Sequence, residues 1–131
     1  MDEIFNFLTE NPIFYIATVD GNLPKVRPFG FVMKLEGKLY FGTSNQKLVY
    51  KQLTVNPHFE ISTTSKTGEW LRLKGEAVFH TNGMTKEAAF KAMPSLSKIY
   101  SADDSIFEVF YIENGEATFY DIKGNSRTIT C

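Results

Sequence analysis

Apolar and polar positions alternate along most of the chain, in short runs separated by turns that contain glycine or proline. A period of two is typical of half-buried β-strands. In the longest run, Leu71 and Leu73 share one face, and Trp70, Arg72 and Lys74 share the other. The pattern predicts strands at 14–19, 24–35, 39–42, 59–64, 69–80, 106–112 and 117–122.

Four segments show helical spacing instead. They are an opening helix around 4–8, a helix that starts at 43–44 and ends before Asn56-Pro57, a helix at 85–93, and a short helical turn at 95–100. Hydroxyl side chains accept hydrogen bonds from the free N–H groups of a first helical turn. We therefore expect Thr43 and Ser44 to cap the second helix and Thr85 to cap the third.

Tight turns connect most of the predicted strands and so dictate antiparallel pairing. Asp20-Gly21-Asn22 and Glu36-Gly37-Lys38 are two of them, and Asn114-Gly115 predicts a final hairpin. Closing the sheet removes its exposed edges. We predict a mainly β fold, a split antiparallel β-barrel of six or seven strands with peripheral helices. Without a linker or a shift in composition, residues 1–131 are expected to form a single domain.

Composition and charge narrow the class of protein. The formal net charge is −1, which argues against a nucleic-acid partner because such proteins need a basic surface. The chain has one cysteine, Cys131, and no apolar run of the ~18 residues that a membrane span needs. We expect a cytoplasmic protein without a membrane partner. Aromatic residues make up 15% of the chain, which suits a β-rich core, a flat ligand or a subunit interface.

The sequence contains no recognisable catalytic side-chain motif. His58 and His80 are far apart, and neither has a cysteine or acidic residue at metal-ligand spacing, so no metal site is predicted. Walker, GxGxxG and nucleophile-elbow motifs are also absent. No catalytic residue can be assigned from the sequence.

A phosphate-binding pattern follows the predicted strand at 39–42. Thr43 and Ser44 stand at a predicted helix start, and Lys47 follows in the expected first turn. Free N–H groups, the helix dipole and a lysine together attract an anion. An ordinary helix cap with a solvated lysine is the alternative.

A second cation precedes this segment. Arg27 is expected to lie alongside the strand at 39–42, where its guanidinium could bind the same anion. Pro28, Phe29 and Gly30 follow, and a glycine there lets the backbone approach a flat ring closely. The alternative is an exposed edge-strand arginine whose apolar neighbours, Phe29 and Phe31, lie in the core.

Taken in order, these segments resemble the FMN-binding split-barrel superfamily, which includes pyridoxamine 5′-phosphate oxidase. The segments that carry the resemblance are FYIATVDGNLPKVRPFGF, GKLYFGTSNQKLVYKQLTVNP, EWLRLKGEAVF and the closing GEATFYDI. Within the superfamily, the chain most resembles small single-domain proteins grouped with nitroimidazole-resistance reductases. Phe31-Val32 stands where pyridoxamine 5′-phosphate oxidase has a lysine, and that enzyme's arginine-rich C-terminal segment is missing.

The resemblance implies a homodimer that binds two FMN molecules at the subunit interface. By motif, the phosphate would be held by Arg27, Ser44 and Lys47. The isoalloxazine would be lined by Thr43 and by the backbone of Pro28, Phe29 and Gly30. The other subunit would contribute Trp70, Leu71 and Arg72.

The implied function is FMN-dependent oxidoreduction of an unidentified small-molecule substrate, with the cofactor supplying the chemistry. This would account for the absence of a nucleophile or a catalytic base. Two alternatives remain open: a non-catalytic protein that binds or senses a flavin, a deazaflavin or haem, and a purely structural dimer.

Overall fold

The computed structural model describes residues 1–131 and contains three α-helices, one 3₁₀ turn and eight β-strands. The helices are α1 (Asp2–Glu10), α2 (Leu48–Val55) and α3 (Gly83–Ala92), and the 3₁₀ turn is Pro94–Lys98. The strands are β1 (Phe14–Asp20), β2 (Leu23–Phe29), β3 (Val32–Leu35), β4 (Lys38–Ser44), β5 (His58–Thr64), β6 (Trp70–Phe79), β7 (Phe107–Tyr120) and β8 (Ser126–Thr130). The mainly β prediction is confirmed, with eight strands rather than six or seven. None of the helices is long and apolar enough to span a membrane.

All strand pairs are antiparallel and belong to one sheet with the order β2-β1-β5-β6-β7-β4-β3. The second half of β7 also pairs with β8. The outer strands β2 and β3 do not pair, so the expectation of a closed sheet was wrong. The sheet nevertheless curls around its own core, because the rings of Phe14 on β1 and Phe41 on β4 lie 6.0 Å apart although three strands separate β1 from β4.

Aromatic side chains fill much of the core. Phe41 and Phe110 are fully buried, with ring centroids 5.6 Å apart, and Phe59 contacts both. A second, smaller cluster lies between β3, β4, β7 and α3 and includes Phe31 and Phe107. The expected alternation along β6 is confirmed, since its leucines are buried while Arg72 and Lys74 are exposed.

The predicted strand at 24–35 is broken in two. Phe31, Val32 and Met33 are all buried, so the alternation that marks a strand fails there. The chain leaves β2 at Phe29 and starts β3 at Val32, and these strands lie at opposite ends of the sheet order. Because β2 pairs only with β1, its other edge has no partner strand. The missing N–H of a proline therefore costs no ladder hydrogen bond along that edge.

The predicted final hairpin was also wrong, because β7 runs unbroken through Asn114-Gly115. The pairing of β6 with β7 steps from Lys74↔Glu116 to Glu76↔Glu113. Asn114, at φ 54°, and Gly115 therefore form a bulge opposite Gly75. The hairpin lies further on, between β7 and the unpredicted strand β8.

Two helix starts differ from the prediction. Thr43 and Ser44 are the last residues of β4, and α2 begins only at Leu48 with Lys47 as its N-cap. The cap of α3 is Asn82, and Thr85 completes a reciprocal capping box from the third helical position. Helix α2 thus begins four positions after Ser44, whereas α3 begins two positions before Thr85.

Candidate functional site

The guanidinium of Arg27 lies at the centre of a polar cluster on the inner face of the curled sheet. It donates from Nη1 to the hydroxyl of Thr18 on β1 and from Nη2 to Oε1 of Gln52 on α2, both at 2.7 Å. Thr18 in turn donates to the same Gln52 oxygen at 2.6 Å. These bonds join Arg27 to the helix whose N-terminus the sequence predicted as an anion site.

Arg27 is a half-buried cation without a negatively charged partner. Every salt bridge in the structure involves other residues, whereas Lys86, whose side chain is 12% exposed, has Asp104 at 3.8 Å. Burial lowers the pKa of Arg27 from its ordinary value, because desolvation penalises the charged form. Buried charges in proteins are normally paired, so the environment favours the binding of an anion next to Arg27.

Thr43 has the one buried side-chain oxygen or nitrogen without a hydrogen-bond partner in the structure. Its side chain is 3% exposed. An unpaired buried hydroxyl is costly in a folded protein and calls for an explanation, such as a ligand. The structure thus gives Thr43 an unpaired buried hydroxyl instead of the capping role that the sequence predicted.

Arg27 and Thr43 project from the same inner face of the sheet. Arg27 lies two residues before Phe29 and Thr43 two residues after Phe41, and both phenylalanine rings contact Phe14. Helix α2 contacts β1 and follows directly on β4. The prediction that Arg27 lies alongside β4 was wrong, because β2 pairs only with β1, yet the curl of the sheet turns both residues towards one interior.

Ser44 and Lys47 frame the start of α2. Ser44 is buried, and its hydroxyl accepts a hydrogen bond from the N–H of Gln46 at 3.0 Å. Lys47 is exposed at the N-cap rather than in the first turn, and no side chain caps the helix. Gln52 lies five positions after Lys47, or about 7.5 Å along a helix axis. The first turn of α2 therefore has free N–H groups with a lysine beside them.

The segment Pro28–Gly30 combines a core side chain with open backbone. The ring of Phe29 points inward, 6.4 Å from that of Phe110, while Pro28 and Gly30 are exposed. A β-carbon built on Gly30 would meet only the carbonyl oxygen of Pro12, at an ordinary 3.5 Å. The fold does not require glycine there, so the space above Gly30 is available to a ligand.

Trp70, Leu71 and Arg72 lie on β6, away from this cluster. The Trp70 ring stacks on that of Tyr120 at 4.0 Å, and Arg72 pairs with Glu60 at 2.9 Å. Leu71 is fully buried in the core, so only its backbone could touch a ligand. The single chain does not bring these three residues to Arg27.

Sequence reasoning missed Thr18 and Gln52 as partners of Arg27. Both had a visible signal: Thr18 is a polar residue at an inward position of an apolar strand, and Gln52 lies on the apolar face of α2. Buried polar groups at such positions normally bind something polar.

No group of three or more histidine, cysteine, aspartate and glutamate side chains lies together in the structure. His80 instead bonds through Nδ1 to the Tyr40 hydroxyl at 2.9 Å. Burial raises the pKa of Tyr40.

Comparisons with known proteins agree with this architecture. The model of a family described as pyridoxamine 5′-phosphate oxidase matches residues 1–127. A NimC/NimA family protein from Clostridium acetobutylicum is 44% identical in sequence, with a TM-score of 0.97 over 100% of this chain and 92% of that one. A search of curated proteins found no match.

More distant structures share the fold alone. General stress protein 26 from Bacillus anthracis is 16% identical, with a TM-score of 0.75 over 98% of this chain and 97% of its own. A haem-binding protein from Mycobacterium smegmatis is 15% identical, with a TM-score of 0.73 over 92% of this chain and 53% of its own. One fold therefore occurs in proteins with different names, one of which is named for binding haem.

Proposed function

Because the chain belongs to the pyridoxamine 5′-phosphate oxidase family, we propose that it binds FMN and is an FMN-dependent oxidoreductase acting on a small molecule. The observation that carries this proposal is Arg27, a half-buried guanidinium with neutral partners and no carboxylate. When bound, FMN would supply the capacity to accept and donate electron pairs.

The chain's own residues fit the two ends of this cofactor. Arg27 and Lys47 would neutralise the phosphate, with Ser44 and the free N–H groups of α2 as further donors. The unpaired hydroxyl of Thr43 and the open backbone at Gly30 suit the polar edge and the flat face of an isoalloxazine. The protein's contribution is to bind and orient the ring, which requires no nucleophile.

The proposal includes a second copy of the chain. Trp70, Leu71 and Arg72 lie away from Arg27 in one chain, so they would reach FMN only from a partner subunit. In a homodimer, the stacked Trp70 and Tyr120 rings and the Arg72 guanidinium would be available at the outer face of β6.

The visible absorption spectrum of the purified protein tests this function. We expect a flavin spectrum, and release of the chromophore followed by mass spectrometry should identify FMN. The double variant Arg27→Ala, Lys47→Ala should lose the colour, whereas the matched variant Arg127→Ala, Lys123→Ala, altered far along the chain in β8 and the turn before it, should keep it. A colourless protein that ignores added FMN would contradict the proposal and favour a structural dimer.

Haem binding is a second candidate. It is favoured by the haem-binding structural neighbour and by His58, which is exposed in a cleft of about 560 Å³. This candidate predicts a haem spectrum that disappears in His58→Ala, and bound FMN would exclude it. A deazaflavin would be separated from FMN by the mass of the released chromophore.

A further inference from the structure

A cleft of about 410 Å³ separates α1 from the end of α3, and we refer to it as the α1–α3 cleft. Its floor is formed by the start of β3, with Val32 and Met33 buried, and its walls include Leu8 and Met93. The volume lies in the range of small-molecule sites. The cleft is therefore large enough for a compact ring system.

The α1–α3 cleft has almost no charge. Lys34 and Thr9 are the only lining residues whose side chains carry a charge or a hydroxyl. The Lys34 ammonium lies 2.9 Å from the carboxylate of Asp2 and 4.9 Å from the centre of the Phe5 ring. Because Lys34 is already paired with Asp2, the cleft presents no cation without an acidic partner to hold a phosphate or a sulfonate.

The cleft also reaches the segment expected to line the isoalloxazine. Gly30 lines the cleft and belongs to the Pro28–Gly30 segment. A molecule in the cleft would thus lie against the same backbone as the proposed flavin ring.

We infer that the α1–α3 cleft is the substrate pocket of this flavoprotein and takes a flat, uncharged, mainly apolar molecule. The Asp2–Lys34 pair determines that selectivity, and phosphorylated substrates are excluded. This inference rests on the proposed function, because it assigns the substrate class of the same site.

Equilibrium dialysis of two quinones against FMN-saturated protein tests the inference. Menadione is neutral, and 1,4-naphthoquinone-2-sulfonate carries the same bicyclic ring with a negative charge. Menadione should bind at least about tenfold more tightly than the sulfonate, a difference of about 1.4 kcal/mol. Equal affinities, or tighter binding of the sulfonate, would overturn the inference.

Three variants locate the binding. Ala92→Phe adds a ring to the exposed rim of the cleft and should weaken menadione binding about tenfold or more. Ala102→Phe makes the same exchange at an exposed position outside the cleft and should leave menadione binding unchanged. Asp2→Asn frees Lys34 and should strengthen sulfonate binding about threefold while leaving menadione unaffected. Menadione affinity unchanged in Ala92→Phe, or sulfonate affinity unchanged in Asp2→Asn, would contradict the inference.

The FMN affinity of each variant separates the two proposals. If the wild-type chain binds no FMN, the proposed function fails. If every variant binds FMN normally and Ala92→Phe still binds menadione, only the pocket assignment fails. Loss of a dimer in Ala92→Phe, measured by light scattering without a change in menadione affinity, would assign the cleft to a second copy instead.

Discussion

Thr43 tests the proposed site at the scale of one atom. Thr43→Val keeps the shape of the side chain and removes the unpaired hydroxyl. Because an unpaired buried polar group costs about 1–3 kcal/mol, the free energy of unfolding without ligand should rise by roughly 1 kcal/mol. FMN affinity should fall about fivefold to tenfold if the hydroxyl bonds the cofactor. Denaturant unfolding and FMN titration measure these two opposite effects.

Thr63→Val is the matched control, since Thr63 is also buried but donates to the carbonyl oxygen of Ile13 at 3.0 Å. Removal of the Thr63 hydroxyl should lower the free energy of unfolding by about 1 kcal/mol without weakening FMN binding. If Thr43→Val were destabilising to the same extent as Thr63→Val, the Thr43 hydroxyl would have a protein partner and would not be a free group for the cofactor.

At the scale of elements, the bulge in β7 depends on Gly75 of the neighbouring strand. A β-carbon at Gly75 would lie 2.6 Å from Cγ1 of Ile112 and 3.0 Å from the carbonyl oxygen of Glu113. Gly75→Ala should therefore lower the free energy of unfolding by about 1–3 kcal/mol, measured by chemical denaturation. Gly83→Ala, where a β-carbon meets nothing within 4 Å, should be neutral or stabilising by up to about 1 kcal/mol. A Gly75→Ala variant as stable as Gly83→Ala would contradict the described packing of the bulge.

The loop before β7 is held together by the carboxylate of Asp104. It accepts hydrogen bonds from the backbone N–H groups of Phe107, Ser101 and Ile106, which lower its pKa from 3.8 to about 2. Since the folded state holds the proton less tightly than the unfolded state, this stabilisation is present above pH 3.8 and is lost as the pH falls towards about 2.

Asp104→Asn should therefore flatten the loss of stability over that acid range, measured by thermal unfolding at a series of pH values. The control Asp20→Asn, at an exposed position without side-chain hydrogen bonds, should follow the wild-type curve. Parallel curves for Asp104→Asn and wild type would show that the carboxylate does not support the loop.

Sequence patterns predicted elements well where local periodicity decides the structure. Leu71 and Leu73 face the core as the alternation of β6 indicated. One wrong prediction concerns a residue pair that is compatible with two backbone geometries. The positive φ of Asn114 is compatible with a hairpin turn and with a bulge, and only the pairing partners on β6 and β8 select the bulge.

The arrangement of the candidate site was likewise only partly predictable from the sequence. The residue types at 27, 43, 44 and 47 indicated an anion site, but their arrangement depends on long-range contacts. The bond from Arg27 to Gln52 spans 25 positions, and no local pattern fixes it. The sequence pattern identified the cation, whereas only the curl of the sheet shows that its hydrogen-bond partners are neutral.

For the whole molecule, the proposed dimer predicts that each FMN site uses residues of two chains. We expect poor FMN binding from each of two double variants. One combines Arg27→Ala with Lys47→Ala, and the other combines Trp70→Ala with Arg72→Ala. After co-refolding in equal amounts, roughly a quarter of the wild-type sites should return, because random pairing makes half of the dimers hybrid and each hybrid has one intact site. Fluorescence titration with FMN measures the recovered sites. A mixture that binds no better than its components would place each site within one chain.

Calorimetric titration of the chromophore-free protein with FMN is the most direct test of whether Arg27 holds the cofactor. We expect one FMN per chain in the wild type and an affinity about tenfold to a hundredfold weaker in Arg27→Gln, because hydrogen bonds to charged groups contribute about 1.5–3 kcal/mol. Arg127→Gln, which removes the exposed pair with Glu3 and the contact of the guanidinium with the Phe119 ring, should bind as wild type does. No heat of binding in the wild type, or equal affinities in Arg27→Gln and Arg127→Gln, would contradict the account.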